Sequence, residues 1–149
     1  MSFALNLLWF VFGGFLGGLL WCIVGLLCFA TVILIPWGIA CFRIASFAFF
    51  PFGKDIIPVE MIGGERIFGT GLGNFVWAVF FGFWIALCYA LVGISCCVSI
   101  IGIPFGIANF IICKVSFAPL GKRIVSKDIA KAARERWSKE KVDNSFNHS

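Results

Sequence analysis

Residues 35–42 read IPWGIACF and residues 103–110 read IPFGIANF. The two stretches lie 68 residues apart and agree at six of eight positions. Extended outward without a gap, the same offset aligns Asn6–Ile57 with Asn74–Val125 and gives 23 identities in 52 positions. Shared apolar composition supplies some chance matches. It does not set Pro36 on Pro104, Pro51 on Pro119, Gly53 on Gly121 and Lys54 on Lys122. The chain is a tandem duplication, and each copy is one structural unit.

That unit belongs in a membrane. The 149 residues are 61% hydrophobic and 13% charged, with a mean hydropathy of +1.03, which leaves too little polar surface for a soluble domain. The charges are also segregated. No Lys, Arg, Asp or Glu occurs between Met1 and Phe42, or between Ile67 and Cys113. Blocks of this length read as membrane spans, since a helix needs about 20 apolar residues to cross the hydrocarbon. The start MSFALNLLWF lacks the basic segment and the cleavage site of a secretory signal. All seven cysteines sit inside the apolar blocks, as small hydrophobes do, and not in a secreted disulfide framework.

The apolar block Leu5–Pro51 would run about 70 Å as one helix, far more than a bilayer needs. Two passes per repeat fit: a long tilted helix, then a shorter one broken by proline and glycine. The break is expected at Pro36-Trp37-Gly38 and Pro104-Phe105-Gly106, with Pro36, Gly38, Pro104 and Gly106 as the breaking residues. A kinked span and a re-entrant half-helix from about Gly38 to Phe50 both satisfy this pattern. Asn109 follows the second break, where it is expected to bond a freed carbonyl; Cys41 holds that position in the first repeat. Lining a small polar pathway is the functional alternative for Asn109.

Small residues recur every fourth position at Gly14, Gly18 and Cys22, and again at Gly82, Ala86 and Ala90. Such a stripe lets helices approach closely, so Gly14, Gly18, Gly82 and Ala86 are expected to pack the repeats together or to join subunits in a homo-oligomer. Phe10 reads as lipid-facing, and Trp9, Trp21, Trp77 and Trp84 as markers of interfacial depth.

Both repeats, and above all SIIGIPFGIANFIICKVSFAPLGKRIV at Ser99–Val125, resemble the YccF family of bacterial inner-membrane proteins. The resemblance covers nearly the whole chain and extends to the AARE of the tail. It implies a small multi-pass protein of the cytoplasmic membrane with two such domains, and it carries no catalytic residue with it. The organisation expected is a membrane repeat at 4–57, a connecting loop at 58–71, a second repeat at 72–125 and a basic tail at 126–149.

Basic residues set the orientation. Arg43 and Lys54 flank the end of the first repeat, and Lys114, Lys122 and Arg123 that of the second. From Lys122 onward the tail holds eight Lys or Arg against four acids. Such an excess marks the cytoplasmic side, so an even number of passes per repeat puts both ends and the C-terminus there, with these five residues on anionic headgroups. In the loop, Gly63-Gly64 between two apolar runs suggests a β-hairpin. The tail from about Lys127 reads as an amphipathic helix on the membrane surface, with Ile129, Ala133 and Trp137 as its apolar stripe. The final VDNSFNHS reads as irregular.

Reactive chemistry is sparse. The only His is His148, next to the end, and every acid lies in the loop or the tail. That excludes a Ser-His-Asp arrangement in the core and a His-based metal site, and it disfavours a transporter with a mid-membrane carboxylate relay. No cofactor, metal, catalytic activity or nucleic-acid partner is expected. The reading is an all-α integral membrane protein with a structural or interaction role, contacting membrane lipids. The alternative is a small oligomeric channel or transporter for an ion or small solute.

Overall fold

The computed structural model describes residues 2–147, so His148 and Ser149, the end of the tail read as irregular, lie outside the described residues. Helix α1 (Ser2–Trp9) passes through a π-helical turn (Phe10–Gly14) into α2 (Phe15–Phe29). A 3-10 turn (Val32–Leu34) then reverses the chain into α3 (Ile35–Phe49), followed by strand β1 (Lys54–Pro58) and a second 3-10 turn (Val59–Ile62). The second copy repeats the order: α4 (Thr70–Trp77), a π turn (Ala78–Gly82), α5 (Phe83–Cys97), α6 (Ile103–Phe117) and β2 (Lys122–Ser126). Helix α7 (Lys127–Asn147) continues through the stretch expected to be irregular. The helices Phe3–Phe29, Val32–Phe49 and Thr70–Cys97 are each long and apolar enough to cross a membrane, and Ile103–Phe117 is a shorter apolar helix.

The duplicated Pro-x-Gly phrase opens a helix instead of breaking one. The chain turns at Ala30–Leu34 and again at Val98–Gly102, before each proline. Pro36 and Pro104 stand in the first turn of α3 and α6, where a missing N–H has no helical partner to lose and a fixed φ is already helical. The expected break at Pro36-Trp37-Gly38 and Pro104-Phe105-Gly106 is thus displaced toward the N-terminus. The glycines have a separate task. A Cβ on Gly38 would come within 3.1 Å of the Gly25 carbonyl oxygen, and one on Gly106 within 2.9 Å of the Gly93 carbonyl oxygen. Each repeat closes into a hairpin whose helices cross almost backbone to backbone there.

The small-residue stripe serves the same hairpins. A Cβ on Gly18 would lie 2.5 Å from the Phe49 ring, and one on Gly82 would lie 2.7 Å from the Ser116 carbonyl oxygen. Gly14 faces the Ala48 carbonyl and lies beneath the indole of Trp9, and Ala86 is buried. The three glycines pack helix against helix within a repeat, instead of joining repeats or subunits as expected. Gly18→Leu should therefore lower the stability of the detergent-solubilised protein by about 1–3 kcal/mol through overpacking against Phe49. Phe80→Leu, at an outward-facing position, should change it by less than about 0.5 kcal/mol. Equal melting temperatures for the two variants would remove the stripe's packing role. Phe10, expected to face lipid, instead packs within its repeat, where its ring stacks on Phe50 and meets Phe49.

Two side-chain clamps, identical in both copies, tie each hairpin at its open end. Asn6 donates from Nδ2 to the Phe52 carbonyl and accepts from the Phe52 N–H, both at 2.9 Å. Asn74 does the same with Leu120, at 3.2 and 3.0 Å. Trp9 Nε1 donates to the Ala48 carbonyl at 2.6 Å and Trp77 Nε1 to the Ser116 carbonyl at 3.0 Å. The π turn follows each tryptophan and ends at Gly14 or Gly82; one extra residue in the turn rotates the helix so that both members face the partner helix. Trp9, Trp21 and Trp77 are accordingly core residues and not interfacial markers, whereas Trp84 is exposed.

No β-hairpin forms at Gly63-Gly64. Val59–Ile62 coils into a 3-10 turn that Gly63 ends with φ +76°, and β1 pairs with β2 of the other repeat. The pairing is antiparallel, Lys54 with Ser126 and Pro58 with Lys122, and at its centre Ile56 meets Ile124, its own counterpart in the duplication. The ribbon is therefore built on a pseudo-twofold axis. A lone hairpin is marginal in water, while this ribbon gains a layer of helix on each side. Ile57 packs against Ala130 and Ala133 of α7. The buried edge of α7 thus runs through Ala130 and Ala133; Ile129, assigned to the apolar stripe, is exposed.

The repeats meet head to tail. Phe105 at the start of α6 packs on Phe52 beyond the end of α3, and on Trp9. Trp37 at the start of α3 reaches Gly73, which also adjoins Leu120 beyond the end of α6.

Candidate functional site

The crossed pair α3 and α6 has two faces, and each borders a concavity. The ribbon covers one. There, Arg43 and Ser46 of α3, Lys54 of β1 and Arg123–Ser126 of β2 line a groove of about 410 Å³. Lys54 Nζ is held at its wall by a bond to the Ser46 carbonyl at 3.2 Å. On the opposite face, α2 and α5 stand apart and enclose a cleft of about 510 Å³ that includes Leu16, Val24, Ile85, Val92 and Ile112. Its far side is closed by Trp21 Nε1 donating to Tyr89 Oη at 3.0 Å, a bond between two residues that are counterparts in the duplication.

The polar groups in the cleft are turned inward. Trp9 and Trp21 spend their N–H groups on Ala48 and Tyr89, and Asn109 Nδ2 donates to the Phe105 carbonyl at 3.0 Å. That carbonyl lies one turn back within α6, so Asn109 does not bond a carbonyl freed by the break. Its amide also reaches Cys96 Sγ at 3.9 Å, where the first repeat has Cys41 against the Cys28 thiol. One contact has been duplicated and its chemistry has diverged.

The residues expected at headgroups separate. Arg43, Lys54 and Arg123 converge on the groove, whereas Lys114 is exposed on α6 away from it. Lys122, at the other end of the ribbon, lies near Arg66 and Glu60. Partial burial and then the Arg66 charge hold its ammonium pKa below the ordinary lysine value, against the opposing pull of Glu60. Among the described residues two ion pairs form, Arg66 with Glu60 and Arg134 with Asp55, the latter at 2.9 Å. The Asn6 and Asn74 clamps were missed as functional parts of the architecture. Their signal was present, since two polar residues in register within apolar blocks have to be satisfied internally.

A model of the YccF inner membrane component domain matches residues 4–54 and again 72–122. Over 140 residues the chain is 39% identical to Inner membrane protein YccF of Escherichia coli (strain K12), an alignment covering 91% of this chain and 95% of that protein. The protein of the same name from Shigella flexneri aligns with the same identity and coverage. No solved structure matches the chain at a significant level.

Proposed function

The chain belongs to the YccF family of inner membrane components, and we propose that it serves the membrane as a structural or interaction protein, with both hairpins entering from the cytoplasmic face and the C-terminus on that side. One observation carries this reading: β1 and β2, the ends of the two repeats, form a single ribbon. A ribbon bearing Lys54, Asp55, Lys122 and Arg123 and supporting the charged helix α7 belongs in water or among headgroups, not in hydrocarbon. This supports placing both repeat ends on one side, and the basic excess supports the cytoplasm as that side.

The turns support the same orientation. Val32, Ile33, Val98, Ile100 and Ile101 are about four-fifths exposed or more and carry no charge. Such tips are at home in hydrocarbon. The channel reading draws no support from the cleft, whose walls are apolar and whose polar groups are satisfied within the protein. Reporter fusions test the orientation. A reporter active only in the cytoplasm should be active when fused after Gly64 and, separately, after Ser149. Activity in only one fusion would place the repeat ends on opposite sides and end this reading.

A further inference from the structure

The groove between α3 and β2 is charged in a way its scaffold does not require. Arg43, Lys54 and Arg123 line it together with Ser46 and Ser126, and no carboxylate does. The neighbouring acids are engaged elsewhere, Asp55 by Arg134 and Glu60 by Arg66. Neither Arg43 nor Arg123 has an ion-pair partner among the described residues. Cations gathered without a counter-charge repel one another, and the energy is recovered when an anion enters.

The pseudo-twofold axis supplies an internal control. It maps Arg43 to Ile111, Ser46 to Lys114, Arg123 to Asp55 and Ser126 to Pro58; only Lys54 has a like counterpart, Lys122. At the positions related by the duplication, the second copy carries no such trio of cations. The shared design of the repeats therefore does not dictate the cluster, and the two copies have diverged at these positions.

We propose that this groove holds the phosphate of one anionic phospholipid. Guanidinium groups present paired N–H donors that match phosphate oxygens, and an ammonium and two hydroxyls beside them suit the remaining oxygens. The rest of the wall selects the source. Ile124 and Val125 give the wall an apolar part beside its cations, which an amphiphile uses and a free phosphate does not. This inference rests on the reading that the ribbon faces the cytoplasmic leaflet, and it adds a single stoichiometric site to it.

The test uses the full chain reconstituted into vesicles of phosphatidylethanolamine with a minor share of phosphatidylglycerol, extracted gently and examined by native mass spectrometry. One phosphatidylglycerol should be retained per chain. Arg123→Gln, at an exposed ribbon position, and Arg43→Gln should each weaken retention by about tenfold or more, as expected for losing a charged hydrogen bond. Lys114→Gln should leave retention unchanged. If Arg43→Gln does not fold, Arg123→Gln decides alone. Undiminished retention in Arg123→Gln would overturn the site. Equal loss in Lys114→Gln would reduce it to general surface charge and overturn it too. Displacement of the lipid by millimolar inorganic phosphate would identify a soluble anion as the ligand and overturn the lipid assignment. The fusion assay reports on orientation independently, so a misplaced ribbon and an empty groove give different results.

Discussion

Gly106→Leu is expected to destabilise the second hairpin by about 3 kcal/mol, the upper end of what overpacking ordinarily costs. Where a small residue meets only a side chain, as Gly18 meets the Phe49 ring, that side chain can rotate away. Gly106 also meets backbone. Its added Cβ would stand 2.9 Å from the Gly93 carbonyl oxygen and also press on Cys97 Sγ. To admit it, α5 and α6 must separate along their length, which also disturbs the Asn109 contact with Cys96. Gly71→Ala is the control, because nothing lies within 4 Å of its added Cβ and alanine is the better helix former. Thermal or denaturant unfolding in detergent should separate the two by several degrees in midpoint. If Gly106→Leu unfolds with Gly71→Ala, the close helix crossing does not exist.

Asn6→Leu and Asn74→Leu should each cost about 2–3 kcal/mol. Each removes two hydrogen bonds and leaves both a backbone N–H and a carbonyl unpaired, at Phe52 or Leu120. Both clamps are partly buried, so the orphaned groups regain only part of the lost bonding from solvent. Asn6→Asp keeps an acceptor for the Phe52 N–H but sets an anion against the Phe52 carbonyl, and it should not restore stability. The clamps share no partner, so the double variant should lose the sum of the single losses to within about 0.5 kcal/mol. Unfolding midpoints at fixed detergent concentration measure all four variants. Wild-type stability in Asn6→Leu would show that the chain end needs no clamp.

Much of the architecture was written in the residues. Uncharged blocks interrupted once by proline and glycine specify paired apolar helices, because the hydrocarbon demands that backbone groups bond internally and limits how far a helix can run. The offset of 68 specifies that the two halves share one design. Even the position of the turn was partly legible: a residue before proline is pushed out of the helical region, and proline itself is favoured in a first turn, so IPWG opens a helix more readily than it ends one.

The tertiary structure decided which surfaces are inside. In a soluble protein, burial follows hydropathy. Here the solvent is itself apolar, so hydropathy cannot tell lipid from core. Trp9 and Trp84 are the same residue in the same kind of block, yet Trp9 is sealed over Ala48 by its N–H bond and Trp84 stands outside. The ribbon was equally hidden. Gly63-Gly64 carries a local turn signal, but β1 has a partner 68 positions away, and only the head-to-tail packing of α3 and α6 brings Ile56 to Ile124. That packing also gathers Arg43 and Lys54 of the first repeat and Arg123 of the second into one groove. A linear pattern records what each residue offers to its environment; which residues share an environment depends on how the two copies were placed against each other.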